Sequence, residues 1–85
     1  MLILLSKQAI LMALVQNIKE GYKDKEHIHG KTECSYYVVH DNTGKKYLQL
    51  DTYGSSERQI PGKVSQSIQF SPEAIKQLKK LLEKF

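Results

Sequence analysis

The stretch ECSYYVVHDNTGKKYLQLDTY, residues 33–53, decides the fold. Tyr36, Tyr37, Val38 and Val39 are strong strand formers, so Glu33–His40 reads as a strand. Asp41-Asn42-Thr43-Gly44 reads as a turn, because Asp and Asn bond their own backbone and glycine tolerates positive φ. Lys46–Tyr53 then alternates, with Leu48, Leu50 and Thr52 on one face and Tyr47, Gln49, Asp51 and Tyr53 on the other. Two such strands around one turn make a β-hairpin.

Toward the C-terminus, residues 54–63 form a long polar loop, and Gln66–Phe70 reads as a short strand that puts Ile68 and Phe70 on the core face. Ser71-Pro72-Glu73 is a helix start: a capping hydroxyl, a proline suited to the first turn, and an acid at the positive helix end. Ile75, Leu78, Leu81, Leu82 and Phe85 line one face of that helix, with Lys76, Lys79, Lys80 and Lys84 on or near the other. Toward the N-terminus, Ile10, Leu11, Leu14, Val15 and Ile18 recur at helical spacing. With Ser6 as cap and Gly21 as stop, they predict a helix over about Lys7–Glu20. Met1–Leu5 is an apolar lead-in, and Tyr22–Lys31 is a charged connector. The expected fold is therefore α+β: an antiparallel sheet of three to four strands with an N-terminal and a C-terminal amphipathic helix, residues 1–85 forming one domain.

Size and composition narrow the function classes. A domain of 85 residues buries only about 60–65% of its unfolded surface, and such a core yields roughly 3–5 kcal/mol. Oligomerisation is a natural way to bury more. Thirteen basic against nine acidic residues give a net charge of +4, a modest preference for anionic partners. Cys34 is the only cysteine, which forbids an internal disulfide and suits a reducing, cytoplasmic setting. The longest unbroken apolar run, Ala9–Val15, falls far short of a bilayer span, so no membrane association is expected.

Four features bear on chemistry. The loop from Tyr53 to Gln66 is longer than an ordinary hairpin connection and offers Arg58 and Lys63 beside serines and glutamines, groups that suit phosphates and base edges. A solvated loop has the same polarity. The polar sheet face offers Tyr47, Tyr53 and one of Tyr36 or Tyr37 for base stacking, with Lys45 and Lys46 at the strand entrance. Asp51 and Glu57 place negative charge along the same path. His27, His29, Cys34 and His40 match no zinc spacing, so no metal or other cofactor is expected. Asp51, Glu57 and Lys63 resemble a nuclease set only superficially, and no nucleophile elbow or phosphate loop is present.

Gly44-Lys45-Lys46-Tyr47-Leu48-Gln49-Leu50, then Pro61-Gly62-Lys63, a short strand and Ser71-Pro72-Glu73 resemble the positive cofactor 4 (transcriptional coactivator) family over about residues 35–85. The resemblance implies a curved antiparallel sheet followed by a helix, dimerisation through the helices, and single-stranded DNA bound on sheet and loops. It matches Lys45 to a basic strand entrance and Lys63 to the basic position after Pro-Gly. The leading expectation is thus a dimeric single-stranded nucleic-acid-binding module that contacts its ligand through Lys45, Lys46, Tyr47, Tyr53, Arg58 and Lys63, and is not an enzyme. A protein-interaction or assembly subunit is the alternative, and a small metal-dependent nuclease the third.

Overall fold

The computed structural model describes residues 11–54 and 63–85. Four strands and one helix follow in order: β1 (Leu11–Val15), β2 (Cys34–His40), β3 (Lys46–Tyr53), β4 (Val64–Phe70) and α1 (Pro72–Leu82). The strands form one sheet in the order β1-β4-β3-β2. β2–β3 and β3–β4 are antiparallel, whereas β1 joins β4 in parallel. The class is α+β with a mixed sheet.

The hairpin forms as its residues dictate. Asp41 accepts from Lys45 across the loop ends only through its side chain; its own N–H donates to the Lys45 carbonyl at 3.1 Å, and Gly44 N–H donates back to the Asp41 carbonyl at 3.0 Å. Gly44 sits at φ +87, the left-handed position that closes a three-residue hairpin loop. The β2–β3 register pairs Tyr36 with Leu50 and Val38 with Leu48. β3–β4 continues those rows to Ile68 and Phe70, with a register shift at Thr52/Tyr53.

The helix also starts as read. Ser71 caps it, its hydroxyl accepting from Ala74 N–H at 3.2 Å, with Pro72 and Glu73 in the first turn. Ser71 and Ala74 are buried. α1 packs mainly against β3 and β4.

The N-terminal expectation needs correction. Leu11–Val15 is a strand, and residues 16–20 carry no regular structure. Residues 7–10 lie outside the described residues, as does Ser6. Gly21 does not have positive φ. Five consecutive apolar residues fit a helix face or a strand equally well, and a lone helix of that length is marginal in water. The free edge of β4 decides the matter by supplying a full ladder of backbone partners. Once extended, the supposed helix face divides: Leu11 and Val15 fall on one side of the sheet and Leu14 on the other. The sheet is consequently mixed rather than wholly antiparallel.

Beyond β1 the chain leans on α1. Ser71 N–H donates to the Val15 carbonyl at 3.0 Å, and Ile18 N–H to Gln77 Oε1 at 2.6 Å. Gln77 Nε2 donates to Asn17 Oδ1 at 3.0 Å. Among the described residues no helix is long and apolar enough to cross a membrane.

Candidate nucleic-acid interface

Alternation sorts the sheet into two chemically different faces. One carries Tyr36, Val38, Leu48, Leu50, Ile68 and Phe70. The other carries Tyr37, Tyr47, Gln49, Asp51, Ser67 and Gln69, with Tyr53 joining them.

The second face is tied together by side-chain hydrogen bonds. Gln69 Nε2 donates to Gln49 Oε1 at 2.9 Å, and Gln49 Nε2 donates to Asp51 Oδ1 at 3.1 Å. Ser67 Oγ donates to the same carboxylate oxygen at 2.7 Å. Asp51 is buried at 7% exposure, so its charge lies under the surface and is met by neutral donors. The Tyr53 hydroxyl and Ser35 Oγ share a hydrogen bond of 2.7 Å. The Thr32 hydroxyl donates to the Tyr53 carbonyl, which ties the connector to the end of β3.

At the opposite end Asp41 organises the turn. Its carboxylate accepts from Thr43 Oγ1 at 2.7 Å, Thr43 N–H at 2.8 Å, Lys45 N–H at 3.0 Å and the Tyr47 hydroxyl at 3.2 Å. The Thr43 hydroxyl, helped by the two backbone amides and by Tyr47, lowers the Asp41 carboxyl from 3.8 to about 2. Burial pushes the Tyr47 phenol above its ordinary value, and the Asp41 carboxylate adds to this. The Tyr37 phenol is also raised, chiefly by hydrogen bonding with the Tyr53 hydroxyl.

Tyr47 and Tyr53 lie half-buried on the polar face. Of the pair Tyr36 and Tyr37, it is Tyr37 that shares this face. Lys45 is exposed in the turn beside Tyr47. Lys46 pairs with His40 on the opposite face. Lys63 is exposed just before β4, at the Tyr53 end. Lys45 and Lys63 thus bracket the long axis of β3, roughly 25 Å apart at ordinary strand rise. Arg58 and Glu57 lie outside the described residues.

Gln49, Ser67 and Gln69 join the predicted residues on this face. The signal was the alternation Ser65, Ser67, Gln69 against Gln66, Ile68, Phe70 in β4. The histidine reading does not assemble into a metal centre: Cys34 and His40 end the same strand, about 20 Å apart. His27 and His29 stack edge to face at 5.0 Å between ring centres. No group of three or more potential ligands exists among the described residues.

Compared with protein-family models, curated proteins and solved structures, the chain matches none.

Proposed function

We propose that the protein is a homodimeric module that binds single-stranded nucleic acid along the tyrosine-bearing sheet face. The observation that carries this reading is the grouping of Tyr37, Tyr47 and Tyr53 on one face with Gln49, Ser67 and Gln69. Aromatic rings give unpaired bases a stacking surface, and amides and hydroxyls between them meet base edges. Hydroxyl anchors on Tyr47 and Tyr53 hold the rings before a ligand arrives. Lys45 and Lys63 supply cations at the two ends of the path, and Arg58 is assigned to the phosphates from sequence alone. The burial of Asp51 beneath two donors reduces the repulsion its charge would offer. The resemblance of residues 35–85 to the positive cofactor 4 family points the same way.

The test is a fluorescence-anisotropy titration with single- and double-stranded oligonucleotides at two salt concentrations. Binding should favour the single strand and weaken steeply with salt. Tyr47→Ala with Tyr53→Ala should cost about 1–3 kcal/mol per lost stack. No binding at low salt would overturn the proposal.

One observation favours a second reading, an assembly subunit for a protein partner. Tyr22 and Ile28 in the connector are 87% and 95% exposed. Salt-insensitive co-purification with one protein, lost in Tyr22→Ser with Ile28→Ser, would favour it.

A further inference from the structure

The polar face of the sheet is not polar throughout. Two of its rows run Met12-Ser67-Asp51-Ser35 and Leu14-Gln69-Gln49-Tyr37. At the β1 side they end on apolar side chains, Met12 at 77% exposure and Leu14 at 46%. Met12 stands beside Ser67 and Leu14 beside Gln69. With Ala13 and Gln49 these four residues line a hollow of about 330 Å³, within the ~300–1,000 Å³ of small-ligand sites. None of Tyr37, Tyr47 and Tyr53 lines it.

Asp51 settles which atoms the hollow presents. An ionised carboxylate only accepts hydrogen bonds. Gln49 therefore gives it Nε2, and Ser67 gives it the hydroxyl hydrogen, both to Oδ1. With Nε2 so committed, Gln49 turns Oε1 toward Gln69, which meets it with its own Nε2. An isolated glutamine amide can face either way, but this chain of bonds fixes both. Ser67 Oγ has given away its only hydrogen and offers acceptor lone pairs alone. Gln69 offers an acceptor in Oε1 and a donor in its second amide hydrogen. Ser67 and Gln69 lie two residues apart on β4, about 7 Å between Cα atoms. The floor thus holds two acceptors, one from each residue, with an amide donor beside the second.

We infer that this hollow seats a guanine base of the bound single strand. The Watson–Crick edge of guanine carries two adjacent donors, N2–H and N1–H, followed by the O6 acceptor. N2–H meets Ser67 Oγ, N1–H meets Gln69 Oε1, and O6 accepts from the Gln69 amide. Thymine and uracil keep the pairing with Gln69 but set a carbonyl oxygen against the Ser67 lone pairs. Adenine and cytosine bring a single donor group on that edge and leave one acceptor unmet. One face of the ring lies against Met12 and Leu14, an apolar contact to which the methionine sulfur adds. Asp51 touches no base in this arrangement. It is a positioning residue, because it decides that Ser67 accepts. The inference rests on the proposed function for the source of the base, and a free guanine nucleotide carries the same edge.

The experiment titrates the full chain at low salt with an all-thymidine octamer and with octamers carrying one central dG, dA, dC or deoxyinosine. Anisotropy reads affinity, and NMR follows the Met12 methyl and the Gln69 side-chain amide. Free guanosine and thymidine monophosphates are titrated in parallel. The dG strand should bind about fivefold or more tightly than the all-thymidine strand. Deoxyinosine, which lacks the 2-amino group, should lose most of that gain, and the Met12 methyl should move with the dG strand. Ser67→Ala should erase the difference between dG and deoxyinosine. Asp51→Asn puts a donor beside Ser67 and frees its hydroxyl hydrogen for the ligand, so the dG-to-thymidine ratio should fall toward one. A merely structural role for Asp51 would weaken all strands alike and leave that ratio unchanged. Equal affinity for every strand overturns the inference and leaves nucleic-acid binding standing. So does a dG preference that survives in both variants. If no strand binds, the proposed function falls and the mononucleotides decide: shifts at Met12 and Gln69 with guanosine but not thymidine monophosphate uphold the seat, and their absence overturns it as well.

Discussion

Asp41 shows how much one carboxylate settles at the scale of a residue. Four donors converge on it, from Thr43, Lys45 and Tyr47, and together they close the turn and fix a ring of the candidate interface. Because the folded form holds this carboxyl at about 2 rather than 3.8, it prefers the ionised state. Its contribution to stability is complete above the ordinary value and is lost as pH falls from there through about 2. An NMR titration of the Asp41 carboxyl should show a midpoint near 2; a midpoint at 3.8 would mean the cluster does not form in solution. Asp41→Asn should also bring the Tyr47 phenol down toward 10, because the carboxylate's charge is removed while burial, the largest cause, stays. The turn itself was legible, since Asp and Gly at these positions carry their own reasons. The Tyr47 hydroxyl bond was not, because it depends on which way a half-buried ring leans.

At the scale of elements, legibility followed locality. The β2–β3 hairpin is set by alternation and a local turn, and the start of α1 by three adjacent residues; all of these can be read without knowing the rest of the fold. β1 is different. Leu11–Val15 pairs with a strand that begins at Val64, and nothing local distinguishes that partnership from a helix. Its Cα shifts should be strand-like, with contacts between Ala13 and Ile68; helical shifts over Leu11–Val15 would contradict the sheet order. The cap of α1 offers an energetic check. Ser71→Ala removes the acceptor for Ala74 N–H and should cost about 1 kcal/mol. Thermal unfolding would then fall by roughly 4–8 °C for a domain of this size. No change would mean that the cap is replaced by solvent.

For the molecule as a whole, the two faces of the sheet differ in chemistry. The division between a tyrosine-bearing polar face and an apolar face was readable from period-two alternation in β3 and β4. How openly the apolar face is presented was not, because burial depends on what the rest of the chain fails to cover. The site was legible in part for the same reason: Tyr47 and Tyr53 follow from alternation, whereas the choice of Tyr37 and the displacement of Lys46 to the other face follow from the β2–β3 register. The central claim is that nucleic acid occupies the polar face. The most direct measurement is NMR shift mapping of the full chain during titration with a short single-stranded oligonucleotide at low salt. The account predicts that Tyr37, Tyr47, Gln49, Tyr53 and Gln69 shift together with Lys45 and Lys63, while Tyr36, Val38 and Leu50 hold still. Shifts gathered on Tyr36, Val38 and Leu50, or none at all, would contradict it.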